Sequence, residues 1–264
     1  MESFQLIQPS RLLAPYVKHY WFLTTDNVMQ GSERIIPSGQ MCLMFHRGTR
    51  LFSSSDDAFQ PRAFLSGQGT DYTDLIYSGS VDMISIVFQP AGARAFFNVP
   101  MIELNGQNIA VDELSDIQLS DLQKQLTDTY NPFLCVSFIE QFLLKRLYRQ
   151  TDYNQKRINT IIHSIHNGQQ DIDILAQTAC LGYKQFKRIF SDYIGANPKD
   201  YLRVIRFQKA LYILQTQPDI SLTQLSFECG YYDQPHLIKD FKTFSGYTPT
   251  EYMSLCAPYS DYFS

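Results

Sequence analysis

One pattern of apolar, small and turn-forming residues occurs twice near the C-terminus of this chain. Phe186, Arg188, Phe190, Gly195, Pro198 and Tyr201 recur 51 residues later as Leu237, Lys239, Phe241, Gly246, Pro249 and Tyr252. Upstream the offset is one residue smaller, and Leu175, Ala176, Cys180 and Leu181 correspond to Leu225, Ser226, Gly230 and Tyr231. A spaced pattern that repeats over this length indicates two copies of one structural unit.

Each copy predicts two helices joined by a tight turn. In the first copy Leu175, Ala176 and Ala179 share one helical face, Leu181-Gly182 interrupts the period, and Phe186 resumes it. A turn of about three to five residues between the two helices is typical of a helix-turn-helix.

The ends of these helices also carry sequence signals. Asp233 is expected to cap the second helix of the second copy, because its carboxylate can accept from free backbone N–H groups. Gly195 and Gly246 stand where left-handed C-terminal caps are expected, and Pro198 and Pro249 can begin the helices that follow.

Residues 154–255 resemble the DNA-binding domain of the AraC/XylS family of bacterial transcription regulators. The resemblance is carried by Leu225–Tyr231, His236–Lys242 and Gly246–Tyr252. Four positions depart from the family's usual residues: Ser226 replaces a small apolar residue, Tyr231 and Leu237 each replace Phe, and Met253 replaces Arg. None of these changes alters the helical period. The resemblance implies an all-α domain with two helix-turn-helix units joined by a long helix.

The charge distribution favours a nucleic-acid partner for the C-terminal part alone. The net charge is −4. Residues 1–153 carry 11 basic and 16 acidic side chains, whereas residues 154–255 carry 11 and 9. Because this positive balance is small, affinity for arbitrary DNA is expected to be modest, and base contacts or dimerisation must add to it.

The second helix of each copy is expected to enter the major groove of DNA. On the first, Lys184, Lys187 and Arg188 share the face opposite Phe186 and Phe190. They match the base-reading and phosphate positions of the family, and Arg188 is the choice for a bidentate contact to guanine. The alternative is that these three cations form only a solvated face.

The second recognition helix presents an equivalent set of residues, namely Gln234, Pro235, His236, Ile238 and Lys239. Gln234 can read adenine, Ile238 can meet a thymine methyl group, and His236 is either a base contact or a structural contact. Lys242, and Arg203 or Arg206 on the connecting helix, are candidate phosphate contacts.

The connecting helix is predicted over Pro198–Leu214, with an apolar surface wide enough to pack against both units. A rigid connector would hold the recognition helices about 34 Å apart, one turn of DNA, so that each monomer contacts two successive major grooves.

The N-terminal part reads as short strands separated by turn clusters, which predicts a small β-barrel or sandwich. The predicted strands are Val17–Leu23, Met41–Phe45, Arg62–Leu65, Asp74–Tyr77 and Met83–Phe88. This segment resembles the cupin-like N-terminal domain of some AraC-type regulators at Tyr20-Trp21, Arg34–Gly39 and Ile84–Ala93. The fold class expected is therefore α+β, with a cupin-like barrel and packed helices before the all-α domain. In the family such a domain senses a small molecule or mediates dimerisation.

If the barrel holds a ligand pocket, Trp21, Phe45, Tyr72 and Phe88 are the predicted lining residues, because aromatic side chains dominate such sites. The alternative is that all four are core residues. A cupin enzyme is the rival from another class, but His19 and His46 are the only histidines of residues 1–153, with no His-x-His pair and no nearby Glu at ligand spacing. The sequence therefore predicts no metal site, no cofactor and no catalytic residue.

Residues 113–149 are predicted to be helical, with a break at Asn131-Pro132. Their ordinary role is packing against the barrel, and by resemblance to the family they can pair subunits into a homodimer. The polar stretch 149–155 is the expected boundary between a sensing or dimerisation domain, 1–150, and a DNA-binding domain, 154–255.

The compartment is predicted from what the sequence lacks. There is no apolar run long enough to span a membrane and no basic stretch before an apolar one at the N-terminus, so a cytoplasmic protein is expected. The five cysteines are dispersed, and Cys180 and Cys229 are interpreted as buried core thiols. The function predicted is sequence-specific transcription regulation, with double-stranded DNA, a small-molecule effector and RNA polymerase as candidate partners. Constitutive and effector-dependent DNA binding both remain open, as does the less favoured barrel enzyme fused to a DNA-binding module.

Overall fold

The computed structural model describes residues 2–25, 29–147 and 153–255. Within these ranges ten strands come first, and nine α-helices follow them. The strands are β1 (Glu2–Ile7), β2 (Val17–Thr25), β3 (Met29–Ile35), β4 (Cys42–His46), β5 (Phe52–Ser53), β6 (Ala58–Phe59), β7 (Ala63–Ser66), β8 (Thr73–Gly79), β9 (Asp82–Phe88) and β10 (Asn108–Ala110). Short 3₁₀ helices occupy Ala93–Ala95 and Met101–Leu104.

The strands form two antiparallel sheets. The larger has the order β1-β2-β9-β4-β7-β10, and the smaller has the order β3-β8-β5-β6. Within the described residues no strand pair joins the two sheets, so the β-barrel is not closed by hydrogen bonds. The α+β class and the cupin-like arrangement of antiparallel strands are nevertheless those predicted.

The two faces of the larger sheet have different surroundings. Phe22, Ile84, Phe45 and Ala63 are cross-strand neighbours on one face, and they belong to a core that includes Leu122 and Ile139 of the covering helices. Trp21, Ser85, Met44 and Phe64 form the adjacent row on the opposite face. Because side chains alternate along a strand, these two rows point to opposite sides of the sheet.

Two helices cover the first face, α1 (Ile117–Thr127) and α2 (Pro132–Leu147). The Asp116 carboxylate accepts from the backbone N–H of Leu119 at the start of α1. The Asn131 side chain accepts from the N–H groups of Phe133 and Leu134 at the start of α2. Asn131-Pro132 therefore separates the two helices, as predicted.

The C-terminal part is entirely helical in its described residues. Its helices are α3 (Tyr153–His166), α4 (Ile172–Thr178), α5 (Tyr183–Ile194), α6 (Pro198–Thr216), α7 (Leu222–Cys229), α8 (Gln234–Ser245) and α9 (Pro249–Leu255). Helices α4 and α5 form one helix-turn-helix, α7 and α8 form the other, and α6 joins them. The prediction of two such units linked by a long helix is confirmed.

The local signals for helix ends are also confirmed. The Asp233 carboxylate accepts from the backbone N–H of His236 at 2.8 Å. Gly195 and Gly246 end α5 and α8 with φ of 83° and 76°. Helices α6 and α9 begin at Pro198 and Pro249.

The interpretation of Cys180 as a core thiol is wrong. Cys229 is buried, but Cys180 is exposed. Its backbone is left-handed, with φ of 52°, as is that of Gly230 at the corresponding place in the second unit. The buried counterpart of Cys229 is Ala179. The turn therefore dictates the backbone at Cys180, and the side chain projects into solvent.

The expected domain boundary, 149–155, lies mostly outside the described residues. A division into 1–150 and 154–255 stays a prediction.

Candidate nucleic-acid interface

The first helix-turn-helix unit is fixed by a cap and an aromatic core. The Asp171 carboxylate accepts from the backbone N–H groups of Asp173 and Ile174 at 2.8 and 3.1 Å, so α4 begins at a defined residue. On α5, Phe186 and Phe190 are fully buried, with ring centroids 5.6 Å apart. This buried stripe determines which face of α5 is left for a partner.

The face of α5 left in solvent is cationic. Lys184, Lys187 and Arg188 are all exposed. The Lys187 ammonium lies 5.5 Å from the centroid of the Tyr183 ring, near the helix N-terminus. Free N–H groups and the helix dipole add positive potential at that end. The first unit thus presents three cations beside a helix N-terminus. This arrangement is suited to binding phosphate groups and to contacting base edges.

The second unit presents a less charged face. On α8, Leu237 and Phe241 are fully buried. Pro235, Lys239 and Lys242 are exposed, whereas Gln234, His236 and Ile238 are partly buried. His236 packs against Tyr231 in an edge-to-face contact with centroids 5.2 Å apart. His236 therefore makes a structural contact, while part of its ring stays accessible.

Two arginines suggested as phosphate contacts are engaged inside the domain. Arg203 of α6 donates to the Asp240 carboxylate of α8 at 2.7 Å, and Asp240 is only 1% exposed. The Arg206 guanidinium lies 5.2 Å from the centroid of the Tyr231 ring. Both side chains keep some exposure, but the contacts that the structure gives them hold α6 against the second unit.

Helix α6 belongs to both units at once. Its first turns contribute Tyr201, Leu202 and Ile205 to the core of the first unit. Its later turns contribute Phe207 and Leu211, among others, to the core of the second. A helix whose side chains are shared by two cores cannot rotate without disrupting both, so the relative placement of α5 and α8 is constrained.

The N-terminal domain contacts the C-terminal end of α5. The Asn105 side-chain amide donates to the carbonyl of Gly195 at 2.6 Å. Arg94 pairs with Asp192 of α5 at 3.5 Å. Ala91 packs into the core of the first unit. A Cβ atom at Gly195 would lie 3.1 Å from the carbonyl oxygen of Met101, which shows how closely the two parts approach.

The same domain contacts the C-terminal end of α8, one residue before the counterpart of Gly195. Arg34 of β3 donates from Nη1 to the carbonyl of Ser245 at 3.1 Å. Its Nε and Nη2 donate to the two oxygens of Asp74, its cross-strand partner in β8, at 2.7 and 2.8 Å. Its guanidinium also lies 4.2 Å from the ring centroid of Tyr72 and 4.6 Å from that of Tyr247. A cation held against the last carbonyl groups of a helix is favoured by the helix dipole.

The bidentate pairing has a consequence for the charge of Asp74. Hydrogen bonding to Arg34 lowers the pKa of the Asp74 carboxyl, so this group stays ionised to lower pH than an ordinary aspartate.

A further contact joins α6 to the loop between β3 and β4, which follows Arg34 in the chain. Gln208 donates from Nε2 to the carbonyl of Pro37 at 2.6 Å, and Ile36 packs against the core of the second unit. We call the contacts at Gly195 and Ser245 the two helix-end contacts.

Sequence reasoning did not identify Arg34 or Asn105 as contact residues. Arg34 stood within a stretch used for the cupin-like resemblance, but β3 was not predicted as a strand, so its pairing with Asp74 was not inferred. The sequence carries no local signal for Asn105, because its partner is 90 residues away.

The four aromatic residues predicted to line a ligand pocket occupy three different places. Trp21 lies on the wall of a cavity between the two sheets. Phe45 and Phe88 are buried on the opposite face, and Phe88 contacts Phe96 and Phe97. Tyr72 packs on Arg34 at the second helix-end contact. Phe45 and Phe88 fit the alternative that these residues belong to the core, because strand alternation and the covering helices decide which face each residue takes. A role in ligand binding stays a prediction.

In the described ranges, no helix is both long and apolar enough to cross a bilayer. No group of three or more His, Cys, Asp or Glu side chains in these ranges is arranged to hold a metal ion.

Both parts of the chain match known domain families. Residues 175–254 match a helix-turn-helix domain family, and residues 5–110 match a domain of unknown function, DUF6597. An uncharacterised HTH-type transcriptional regulator of Haemophilus influenzae is 28% identical over 53% of this chain and 49% of its own length. The arabinose operon regulatory protein of Escherichia coli is 24% identical over 65% of this chain and 63% of its own.

Among solved structures, ToxT from Vibrio cholerae aligns over 89% of this chain and 98% of its own, with 12% identity and a TM-score of 0.47. The chain spans about half to just under two thirds of the length of the two regulators above.

Two helix-turn-helix units joined by a shared helix, each with an exposed polar arc, define a double helix-turn-helix protein. Residues 175–254 carry a helix-turn-helix domain, and the chain is similar to HTH-type transcription regulators such as the arabinose operon regulatory protein.

Proposed function

We propose that this chain is a sequence-specific DNA-binding transcription regulator that reads two successive major grooves with α5 and α8. The observation that carries the proposal is the pair of recognition helices, each buried on its apolar stripe and exposed on its polar arc. An α-helix fits the major groove, and side chains of its N-terminal half reach base edges there. The proposed contacts on α5 are Lys184, Lys187 and Arg188. Those on α8 are Gln234, Pro235, His236, Ile238, Lys239 and Lys242, with Arg203 beside them.

The roles of these residues follow from their chemistry. Arg188 can donate two parallel hydrogen bonds to guanine, and Ile238 can contact a thymine methyl group. Lys242 lies near the C-terminal end of α8, far from the end that meets base edges, and is proposed as a phosphate contact. Arg203 already donates to Asp240, so its contribution to phosphate binding is proposed to be secondary.

The first test compares two variants on cognate and scrambled DNA. We expect Arg188→Ala to relax base preference at one position and to cost about 1–3 kcal/mol on the cognate site. Lys242→Ala should weaken binding to all sequences alike, because phosphate contacts carry no sequence information. Fluorescence anisotropy titrations on both DNAs measure the difference. If both variants lose equal affinity on cognate and scrambled DNA, the assignment of Arg188 to base reading fails.

A footprint tests the two-groove geometry. Hydroxyl-radical protection is expected in two patches about one helical turn apart, on one side of the duplex. Protection confined to one groove would contradict simultaneous reading by α5 and α8. Selection of a bound sequence from a random library supplies the site when no operator is known.

The N-terminal domain is proposed to modulate this binding through an effector or a partner. The two helix-end contacts support this, because they connect the N-terminal domain directly to the ends of both recognition helices. The protein is further proposed to act in the cytoplasm without enzymatic activity, with RNA polymerase and a second copy of the chain as candidate partners. Helices α1 and α2 and the loop between them support a dimer through exposed Ile117, Tyr130, Phe133 and Leu134.

A further inference from the structure

A cavity of about 630 Å³ lies between the two sheets. Its walls come from the alternating residues of β2, β4, β7 and β9 on one side and of β3 and β8 on the other. Its volume falls in the range of sites that enclose small molecules.

The wall carries little formal charge, and that charge is negative. Among the described residues that line it, Glu33 is the only Asp or Glu, and none is Lys, Arg or His. His46 lies behind the wall and donates from Nε2 to the side-chain oxygen of Gln60. Burial lowers the pKa of His46 to about 4, so this ring is also neutral at pH 7. An anion entering the cavity would lose hydration and find no counter-ion.

Aromatic rings supply a second feature that favours cations. Trp21, Phe64 and Tyr77 all belong to the wall. Tyr77 lies across its strand partner Gly31, where a Cβ atom would stand 2.6 Å from the Tyr77 hydroxyl. The glycine therefore leaves room for the ring to lie over β3. The faces of such rings attract an ammonium group through their quadrupole, most strongly where water is displaced.

A buried acceptor completes the polar part of the wall. Gln40 is 7% exposed, and its side-chain oxygen has no hydrogen-bond partner among the described residues. A buried acceptor without a donor is costly. A ligand that brings N–H groups would remove that cost, whereas a carboxylate, which can only accept, would not.

We propose that the cavity binds an organic cation, namely a protonated amine on an apolar body. Glu33 and the aromatic faces receive the ammonium group, Gln40 accepts one of its hydrogens, and side chains such as Met44 and Leu75 contact the apolar body. The proposal rests on the effector role given to this domain under the proposed function. Ile36 and Ser38 are shared between the cavity wall and the loop that accepts from Gln208, so an occupant touches a segment that also touches α6.

The test uses the full chain and matched ligands. Three skeletons, phenylethyl, indolylethyl and n-octyl, are each supplied as the ammonium, the alcohol and the carboxylate, and calorimetry gives nine dissociation constants at neutral pH. We expect the ammonium of the tightest-binding skeleton to bind at least about tenfold tighter than its carboxylate and several-fold tighter than its alcohol. Equal or tighter binding of the alcohol or carboxylate overturns the proposal, as does failure of all three ammonium compounds to bind at millimolar concentration.

Variants locate the binding in the cavity. Glu33→Gln keeps the shape of the side chain and is expected to reduce the ammonium preference to about threefold or less. Gln40→Leu should weaken the ammonium and leave the carboxylate unchanged. Glu113→Gln removes the same charge from an exposed position outside the cavity wall and should change nothing. A preference that survives both cavity substitutions would place the amine elsewhere and refute the proposal.

DNA binding is measured separately on the same preparations. Intact sequence-specific DNA binding without any amine preference would overturn only the cavity proposal. Amine preference without sequence-specific DNA binding would overturn only the proposed function. A change in DNA affinity on adding the tightest ammonium, lost in Glu33→Gln, would connect the two.

Discussion

Cys180 carries a left-handed backbone at the C-terminal end of α4, with φ of 52°. A residue with a Cβ atom pays about 1–2 kcal/mol for this conformation, and the second unit has Gly230 at the corresponding place. The cysteine is exposed, so the fold obtains no burial energy from its side chain in return.

We therefore expect Cys180→Gly to raise the free energy of unfolding by about 0.5–1 kcal/mol. The gain is smaller than the strain relieved, because glycine loses more backbone entropy on folding, about 0.5–1 kcal/mol. Chemical denaturation measures it. Cys180→Ala is the control, since it removes the thiol but keeps the Cβ atom, and it should leave stability unchanged. An equal gain in both variants would attribute the effect to the thiol.

At the residue scale the sequence was most informative where a side chain acts on its own backbone. Asp233, Gly195 and Pro198 act within one helical turn, and the structure confirms all three. Phe45 and Phe88 show the opposite case. Their burial depends on which face of the sheet is covered by α1 and α2, and no local pattern carries that information.

At the element scale, α6 and α8 are joined by one ion pair of unequal burial. Asp240 is 1% exposed, whereas the Arg203 side chain is 28% exposed. A buried carboxylate that loses its partner keeps its desolvation cost. The pair therefore matters more as a constraint on the angle between the helices than as a source of stability.

A double-mutant cycle separates these effects. We expect Arg203→Met to lower the free energy of unfolding by about 1–3 kcal/mol, less than for a fully buried pair because the arginine is partly in solvent. Arg203→Met combined with Asp240→Leu should recover most of that loss, since no charge is left buried. Urea denaturation of the single and double variants gives the coupling energy. Strictly additive losses would show that the two residues do not stabilise each other.

The strands of the N-terminal part were predicted where their own residues alternate, and one strand without that pattern was missed. Five predicted strands agree with β2, β4, β7, β8 and β9 to within two residues. Strand β3 was missed because Met29–Ile35 contains Gly31 and few alternating apolar residues. Its strand conformation comes from pairing with β8. Pairing between segments about 40 residues apart is a tertiary property. The sequence of β3 alone therefore carries no clear signal for a strand.

At the scale of the whole molecule, the N-terminal domain contacts both recognition helices at their C-terminal ends. Asn105 donates to Gly195 at the end of α5, and Arg34 donates to Ser245 at the end of α8. Because both contacts lie at C-terminal ends, they leave the N-terminal halves of α5 and α8 free for a partner. The duplication of the units has thus produced two attachment points on one domain.

The two attachments should be separable by mutation. In Arg34→Ala we expect the backbone amides at the C-terminal end of α8 to exchange about five- to tenfold faster, as for the loss of about 1 kcal/mol of a partly exposed charged hydrogen bond. Amides of α5 should be unchanged. Asn105→Ala is the matched variant and should affect α5 and spare α8. Hydrogen exchange followed by mass spectrometry reads both helices at once, and equal acceleration of both in either variant would contradict independent attachment.

The sequence by itself determined the duplicated units, their caps, the connecting helix and the antiparallel strands of the N-terminal part. These features depend on contacts within a turn or on periodicity along one element, both of which a sequence displays directly. Tertiary structure alone decided which face of the larger sheet encloses a cavity, where Arg34 finds its partners, and how both recognition helices are held. Those outcomes join residues up to 211 positions apart, and the energy that selects them comes from packing and desolvation between elements rather than from any local pattern.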